Sequence, residues 1–327
     1  MQIRAELIAR LNELLSSGEV TRVLGWKKGE FGYDEEPAVF TAENIEDLVY
    51  DDFSTPNLSK YLIAESLKEG KIAVIMKPGD SFSLNQLLTE HRVKRENVYV
   101  IGVPAPSEID IRKIEALGIK GITEVTADEE NVIIKSLYGD KTVPKAELLL
   151  ERCINGKGSK HMIYDELLGC DADSEEYITE TARFEGVEAL EEKTADERFA
   201  FWREELSKCI RCNACRNVCP ACSCRTCVFD NMDSQVAAKA NTTTFEENMF
   251  HIIRAFHVAG RCTDCGECSR VCPQNIPLHL LNRKFIKDIN GNYGEYQAGL
   301  EAGQRNPLVS YTESDVEPSV ISDGGKA

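Results

Sequence analysis

The sequence predicts an α/β N-terminal domain with a mixed, partly parallel sheet, followed by a small α-rich domain dense in cysteine. Three observations predict it. Short β-branched runs alternate with helical stretches between about residues 58 and 117, and 11 of the 13 cysteines lie between Cys209 and Cys272. An acidic stretch poor in large apolar residues, 171–200, separates the two regions. A chain of 327 residues also exceeds the usual length of one domain. The expected division is an α/β domain over 1–185, a cysteine-rich domain over 186–290, and an extended or disordered tail over 291–327.

Taken in order, the first 17 residues read as an amphipathic helix. They lack the long apolar core of a secretory signal, and Glu6 and Glu13 argue against a transit peptide. Leu58–Gly70 is expected to be helical and to stop at the glycine. Lys71–Met76 is a buried strand, Pro78-Gly79-Asp80 turns the chain, and Ser81–His91 is the next helix. Val98–Val103 gives a second strand and Glu108–Leu117 a further helix, an alternation that implies parallel pairing through right-handed crossovers. Val125 and Val132–Ile134 flank an acidic turn and form a hairpin, after which Pro144–Leu150 begins a helix that runs into Cys153. Residues 171–200 are expected to be a solvated helical linker.

Asp and Glu outnumber Lys and Arg by 55 to 38, a net charge of −17. Such a surface repels nucleic acid and anionic membranes. The longest apolar runs fall far short of the roughly 20 residues that a spanning helix needs, so direct membrane insertion is not expected. So many cysteines would pair promiscuously in an oxidising compartment, and a reducing cytoplasm is the expected location.

The cysteines carry the chemistry. Cys209-Ile-Arg-Cys212-Asn-Ala-Cys215-Arg-Asn-Val-Cys219-Pro220 has the spacing C-x2-C-x2-C-x3-C-P, and Cys262, Cys265, Cys268 and Cys272-Pro273 repeat it. This is the ligand run of bacterial two-cluster ferredoxins, in which three thiolates bind one cubane and the fourth reaches the other. Two 4Fe-4S clusters follow, with crossed ligands. Cluster one takes Cys209, Cys212, Cys215 and Cys272, and cluster two takes Cys262, Cys265, Cys268 and Cys219. Structural zinc is the competing reading, but zinc ribbons need two spaced pairs per ion and leave the third cysteine and the Cys-Pro unexplained. No cysteine stands apart with a base beside it, as nucleophilic catalysis would require.

Cys222, Cys224 and Cys227 lie directly behind the first motif and make most of a third ligand set. Cys153 and Cys170 are the cysteines left to complete it. Cys153 is preferred, because it ends an expected helix and precedes a Gly-rich turn where backbone can approach a cluster. A third 4Fe-4S cluster, a zinc site and buried free thiols are all compatible with this grouping. His161, His251 and His257 are not nominated as ligands. The strand-to-helix turn at Gly79, Asp80 and Ser81 could cradle a phosphate or a flavin pyrophosphate on its N–H groups, and an ordinary helix N-cap explains it equally.

The chain resembles the beta-subunit family of deazaflavin-reducing hydrogenases and formate dehydrogenases, in the form that carries a C-terminal ferredoxin-like dicluster module. The resemblance rests on Lys71-Ile-Ala-Val-Ile-Met-Lys77-Pro-Gly-Asp80-Ser, on Val93–Pro104, on Cys153 followed by Tyr164-Asp165-Glu-Leu-Leu-Gly169, and on the cysteine blocks Cys209–Cys227 and Cys262–Pro277. It departs from the family at Pro78 and near Lys157, where the family often shows cysteine. What it implies is an iron–sulfur subunit, not catalytic alone, that relays electrons within a flavin-dependent oxidoreductase of the hydrogenase, formate dehydrogenase, NAD(P)/ferredoxin or electron-bifurcating type. Its partners would be flavin-, NAD(P)-, formate- or hydrogen-reactive subunits and ferredoxin. The alternative is a catalytic flavoprotein that oxidises or reduces a deazaflavin or nicotinamide in its N-terminal domain.

Overall fold

The computed structural model describes residues 2–179, 182–231 and 244–309. It divides into two compact units: Met1–Leu84 with Glu90–Thr181, and Asn85–Thr89 with Ala182–Ala327. Among the described residues, no helix is long and apolar enough to cross a membrane.

The first unit begins with α1 (Gln2–Ser16), which buries Leu7, Ile8, Leu11 and Leu14 at helical spacing. Next come β1 (Arg22–Lys28), β2 (Glu35–Phe40), β3 (Leu48–Val49), the single turn α2 (Leu62–Glu65), β4 (Ile72–Met76), α3 (Pro78–Thr89) and β5 (Val98–Gly102). They are followed by α4 (Ile111–Ala116), β6 (Ile122–Ala127), β7 (Asn131–Ser136), β8 (Lys141–Pro144), α5 (Lys145–Leu148), α6 (Glu151–Ile154) and β9 (Glu166–Leu167). The main sheet has the order β2-β1-β4-β5-β9, with β3 also on β1. The β1–β4, β4–β5 and β5–β9 pairs are parallel, while β2 and β3 run antiparallel to β1. The sheet is therefore mixed and partly parallel. Every residue of β4 is buried, which is why that strand reads as a continuous apolar run. β6, β7 and β8 form a separate antiparallel sheet over a core that includes Val125, Val132, Ile134 and Val143.

Three elements differ from expectation. Leu58–Gly70 is not one helix: side chains from elsewhere take its carbonyls, Arg22 those of Glu65, Glu69 and Gly70 and Asn97 that of Ser66. The helix after β4 starts at Pro78 rather than Ser81, since a proline at the first helical position loses no hydrogen bond. The stretch from Pro144 to Cys153 breaks at Leu149 and Leu150, whose extended backbone pairs with residues 108–110. The same pairing delays α4, which Asp110 caps through the amide of Arg112.

The second unit contains α7 (Glu185–Glu191), α8 (Ala195–Ser207), α9 (Ala214–Val218), α10 (Thr244–Val258), α11 (Glu267–Arg270) and α12 (Leu278–Tyr293). A capping box between Thr194 and Glu197 opens α8. The expected extended tail departs from that description at Tyr296, Gln297 and Ala298, which are buried; the Tyr296 hydroxyl donates to the Gly260 carbonyl at 2.8 Å. The remainder of that tail, 310–327, lies outside the described residues.

Glu35 supplies a pH test of the first unit. Its buried carboxylate accepts from the Ser54 hydroxyl at 2.5 Å and lies 3.4 Å from the Lys28 ammonium. Burial, reinforced by the charge of Asp51, pushes its pKa from 4.5 up to about 7 against the opposing pull of Ser54 and Lys28. Between these values the unfolded chain binds fewer protons than the folded one, so stability falls as pH rises through the window. Glu35→Gln is expected to remove that slope, on the order of 2 kcal/mol. Melting curves of both proteins at pH 4.5 and pH 8 check it; equal losses on raising the pH would refute it.

Candidate metal centre

The two cysteine loops share one backbone design. In the first, Arg211 and Asn213 flank Cys212 with φ of 56° and 62°. In the second, Asp264 and Gly266 flank Cys265 with φ of 57° and 73°. Left-handed residues on both sides of the middle cysteine curl each loop, and a short helix then carries the third cysteine, Cys215 on α9 and Cys268 on α11. Four such residues, three of them not glycine, are a cost accepted only where the surroundings fix the backbone.

The long helices hold the loops by buried ion pairs. Arg211 pairs with Glu247 of α10 at 3.0 Å and lies over the Phe250 ring, 4.3 Å from its centroid. Asp264 pairs with Arg283 of α12 at 2.9 Å. Each loop thus offers a charge at the same position, of opposite sign, to the helix that follows it.

Cys209, Cys212, Cys215 and Cys272 line one pocket with Phe250, His251 and Ile276, about 330 Å³ of atom-free space with its open mouth included. Cys219 packs with Ala221, Val258 and Cys262, and its charge acts on Cys262, Cys265 and Cys268. Among the described residues, no three cysteine sulfurs lie within 4.8 Å of one another.

Three polar side chains face the sulfurs. The His251 ring nitrogen Nε2 lies 3.3 Å from Cys209 Sγ, which also accepts from the Arg211 amide at 3.4 Å. Asn282 of α12 donates to Cys268 Sγ at 3.6 Å. Arg254 is 3% exposed; it donates to the Cys215 carbonyl at 3.0 Å, and its Nε has no protein partner. Its charge acts on Cys219, Cys222, Cys215 and Cys268, thiols of both motifs. A hydrogen bond from Cys222 and the charge of Arg254 hold Cys219 down to about 5. Burial drives the other way elsewhere, lifting Cys209 and Cys268 to about 12. Those thiols need the positive charge of bound iron to become thiolates. Preset donors, a buried cation with its Nε unpaired and four thiols around one pocket fit a cluster that accepts hydrogen bonds at sulfur and carries negative charge.

Sequence reasoning missed Arg254 and did not nominate His251. Glu247, His251 and Arg254 recur at i, i+4 and i+7, one face of α10, and all three are buried. Polar residues at helical spacing were the available signal.

The additional cysteines have different surroundings. Cys222 packs against the Cys219 group, Cys227 against the Leu206 and Phe229 group, and Cys224 is exposed. Cys153 belongs to the other unit, on α6, where its thiol faces Glu108 Oε2 at 3.5 Å and burial lifts it to about 12. Glu108 there bridges Lys77 at 2.5 Å and Arg152 at 2.7 Å. The turn at Gly79, Asp80 and Ser81 differs from a phosphate cradle. The amides of Asp80 and Ser81 both donate to the Lys77 carbonyl. The Asp80 carboxylate pairs with Lys77 at 3.4 Å, and the Ser81 hydroxyl donates to the Pro78 carbonyl. The amides of Asp80 and Ser81 are thus used in starting α3.

Replacing Arg254 by Gln should lower the midpoint potentials at both clusters, because a nearby cation favours the form carrying the extra electron. An EPR-monitored redox titration with iron content held constant measures it. Unchanged potentials at both would show that Arg254 only packs.

A family model described as "4Fe-4S dicluster domain" matches residues 205–276. The F420-dependent formate dehydrogenase subunit beta of Methanocaldococcus jannaschii is 25% identical over 84% of this chain and 86% of its own length. The F420-dependent formate dehydrogenase 1 subunit beta of Methanococcus maripaludis is 26% identical over 88% of each. A solved chain of the F420-reducing NiFe hydrogenase complex from Methanosarcina barkeri aligns at 12% identity and a TM-score of 0.35, over 45% of this chain and 57% of that one. Over both units the chain is similar to F420-dependent formate dehydrogenase beta subunits, and residues 205–276 match a 4Fe-4S dicluster domain.

Proposed function

We propose that this chain is the iron–sulfur electron-transfer subunit of a multi-subunit flavin-dependent oxidoreductase, relaying single electrons between a partner's flavin or metal centre and a low-potential carrier such as ferredoxin. The observation that carries the reading is the pocket in which Cys272, from the second motif, joins the three leading cysteines of the first. Crossed ligation puts two clusters within one small core, the arrangement a relay needs.

Bound 4Fe-4S clusters supply one-electron chemistry, and the chain tunes it. Cys209, Cys212, Cys215 and Cys272 hold the first cluster; Cys262, Cys265, Cys268 and Cys219 hold the second. His251 and Asn282 donate to sulfur, and Arg254 offsets negative charge at both. Cys222, Cys224 and Cys227 with Cys153 are the proposed ligands of a third cluster, supported by the number of thiols left over.

A hydride delivers two electrons at once, and a flavin or metal able to hold both must split it. The amides of Asp80 and Ser81, already used in starting α3, favour a partner subunit as its holder. That partner would react with formate, hydrogen or NAD(P). The F420-dependent formate dehydrogenases among the relatives make formate the first substrate to try.

Crossed ligation makes a double-variant prediction. Cys272→Ala should remove about four iron atoms per chain, and adding Cys209→Ala should remove no more, because both ligate one cubane. Loss of about eight from the pair would mean uncrossed ligands. Wild-type iron near twelve rather than eight supports the third cluster, and near eight under strict anaerobiosis refutes it.

The purified chain should show no turnover with formate, hydrogen or nicotinamide until a flavin- or metal-bearing subunit is added. Robust dehydrogenase activity from the chain alone, with flavin released on heating, would favour the flavoprotein reading instead.

A further inference from the structure

We propose that His161, Cys170 and Glu175 form a second kind of metal site in the first unit, binding one divalent first-row cation, with zinc the expected occupant. Among the described residues, only two groups bring three such ligand atoms within 4.8 Å of one another. One contains Cys209 of the cluster loop with Glu247 and His251; the other is this one.

The site is built rather than accidental. His161 is 3% exposed, and its Nε2 lies 3.1 Å from the Met76 carbonyl and 3.2 Å from the Val103 carbonyl. With Nε2 facing two carbonyl acceptors, a ring that binds metal would keep its proton there and offer Nδ1. Metal-binding imidazoles are held in this way, with the far N–H on a carbonyl. Met76 and Val103 lie at the carboxyl ends of neighbouring parallel strands, β4 and β5, where open α/β sheets place their ligands. Gly102 leaves room for the ring: a Cβ there would meet His161 Nε2 at 3.1 Å and the Leu167 side chain at 2.5 Å.

Glu175 lies against the same nitrogen. Its Oε1 is 2.5 Å from Nδ1, and its Oε2 accepts from the His161 amide at 2.9 Å. Cys170 closes the group, its thiol raised to about 11 by burial and by Glu175. In a tetrahedral zinc site these donors would stand about 3.3–3.5 Å apart, given bonds of about 2.0–2.3 Å. Shifts of about 1 Å satisfy that spacing. A thiolate, a carboxylate and a neutral imidazole offset a dication's charge, and the mixed soft and hard set suits zinc over magnesium or calcium. Cys170 gives up its thiol proton on binding. Three protein ligands leave one position open for water or an incoming group.

The metal-free alternative is a buried His161–Glu175 hydrogen bond with Cys170 beside it. Iron-replete chain, prepared anaerobically so that cluster cysteines are filled, is loaded with zinc sulfate and dialysed. The expected result is about one zinc per chain, with mixed sulfur and nitrogen or oxygen scatterers at the zinc X-ray edge. Cys170→Ser and Glu175→Gln should each weaken zinc binding about tenfold or more without changing iron content. Cys153→Ser should leave zinc in place. No retained zinc, a sulfur-only shell, or retention unaltered in both Cys170→Ser and Glu175→Gln overturns the assignment and leaves the hydrogen-bonded pair. The zinc signal is independent of the iron count, so this result and the relay reading can fail separately.

Discussion

Burying sulfur that must become anionic is the constraint on which the C-terminal unit depends. Thiolates in a low-dielectric interior are unstable unless positive charge and hydrogen-bond donors are already in place. Iron supplies most of that charge. The protein's own share comes from one guanidinium, Arg254, set among thiols of both motifs, and from donors on α10 and α12. α10 therefore keeps Glu247, His251 and Arg254 on a face that an ordinary amphipathic helix would fill with leucine. α12 follows the same logic with Asn282 and Arg283 beside Leu278, Ile286 and Ile289.

The first unit handles buried charge in another way. Glu108 and Asp80 offset the charges of Lys77 and Arg152, and spare donors from Lys77 satisfy the carbonyls of Ser54 and Thr55. Arg152 and Lys77 hold Glu108 down at about 2 despite its burial. Stripping one partner from such a network leaves an unpaired interior charge, which is why these residues act as a set.

Much of this was legible in the sequence. A cluster demands fixed intervals between its thiols, so the two loops announce themselves by spacing, and β4 and β5 do so by composition. The beta-subunit resemblance was also visible, in the cysteine blocks and in Lys71–Ser81. What stayed hidden depends on partners distant in sequence. Nothing local says that Arg22 will capture the carbonyls of Glu65 and Glu69, 43 and 47 positions on, and unwind an expected helix. Nothing local says that residues 108–110 will pair with 148–150 and split another. Arg254 reads as a routine helix residue until the loops 39 positions back fold against it.

The opposite charges at Arg211 and Asp264 have an architectural consequence. Two loops of equal spacing and equal backbone shape could in principle dock on either helix, and a chain folding with them exchanged would keep every cysteine interval. Exchange would set Asp264 against Glu247 and Arg211 against Arg283, like charges facing each other where no water can screen them. The duplicated halves are thus keyed like a plug with unequal pins. Each loop seats in only one socket, so which cysteine loop faces which helix is fixed as the chain folds.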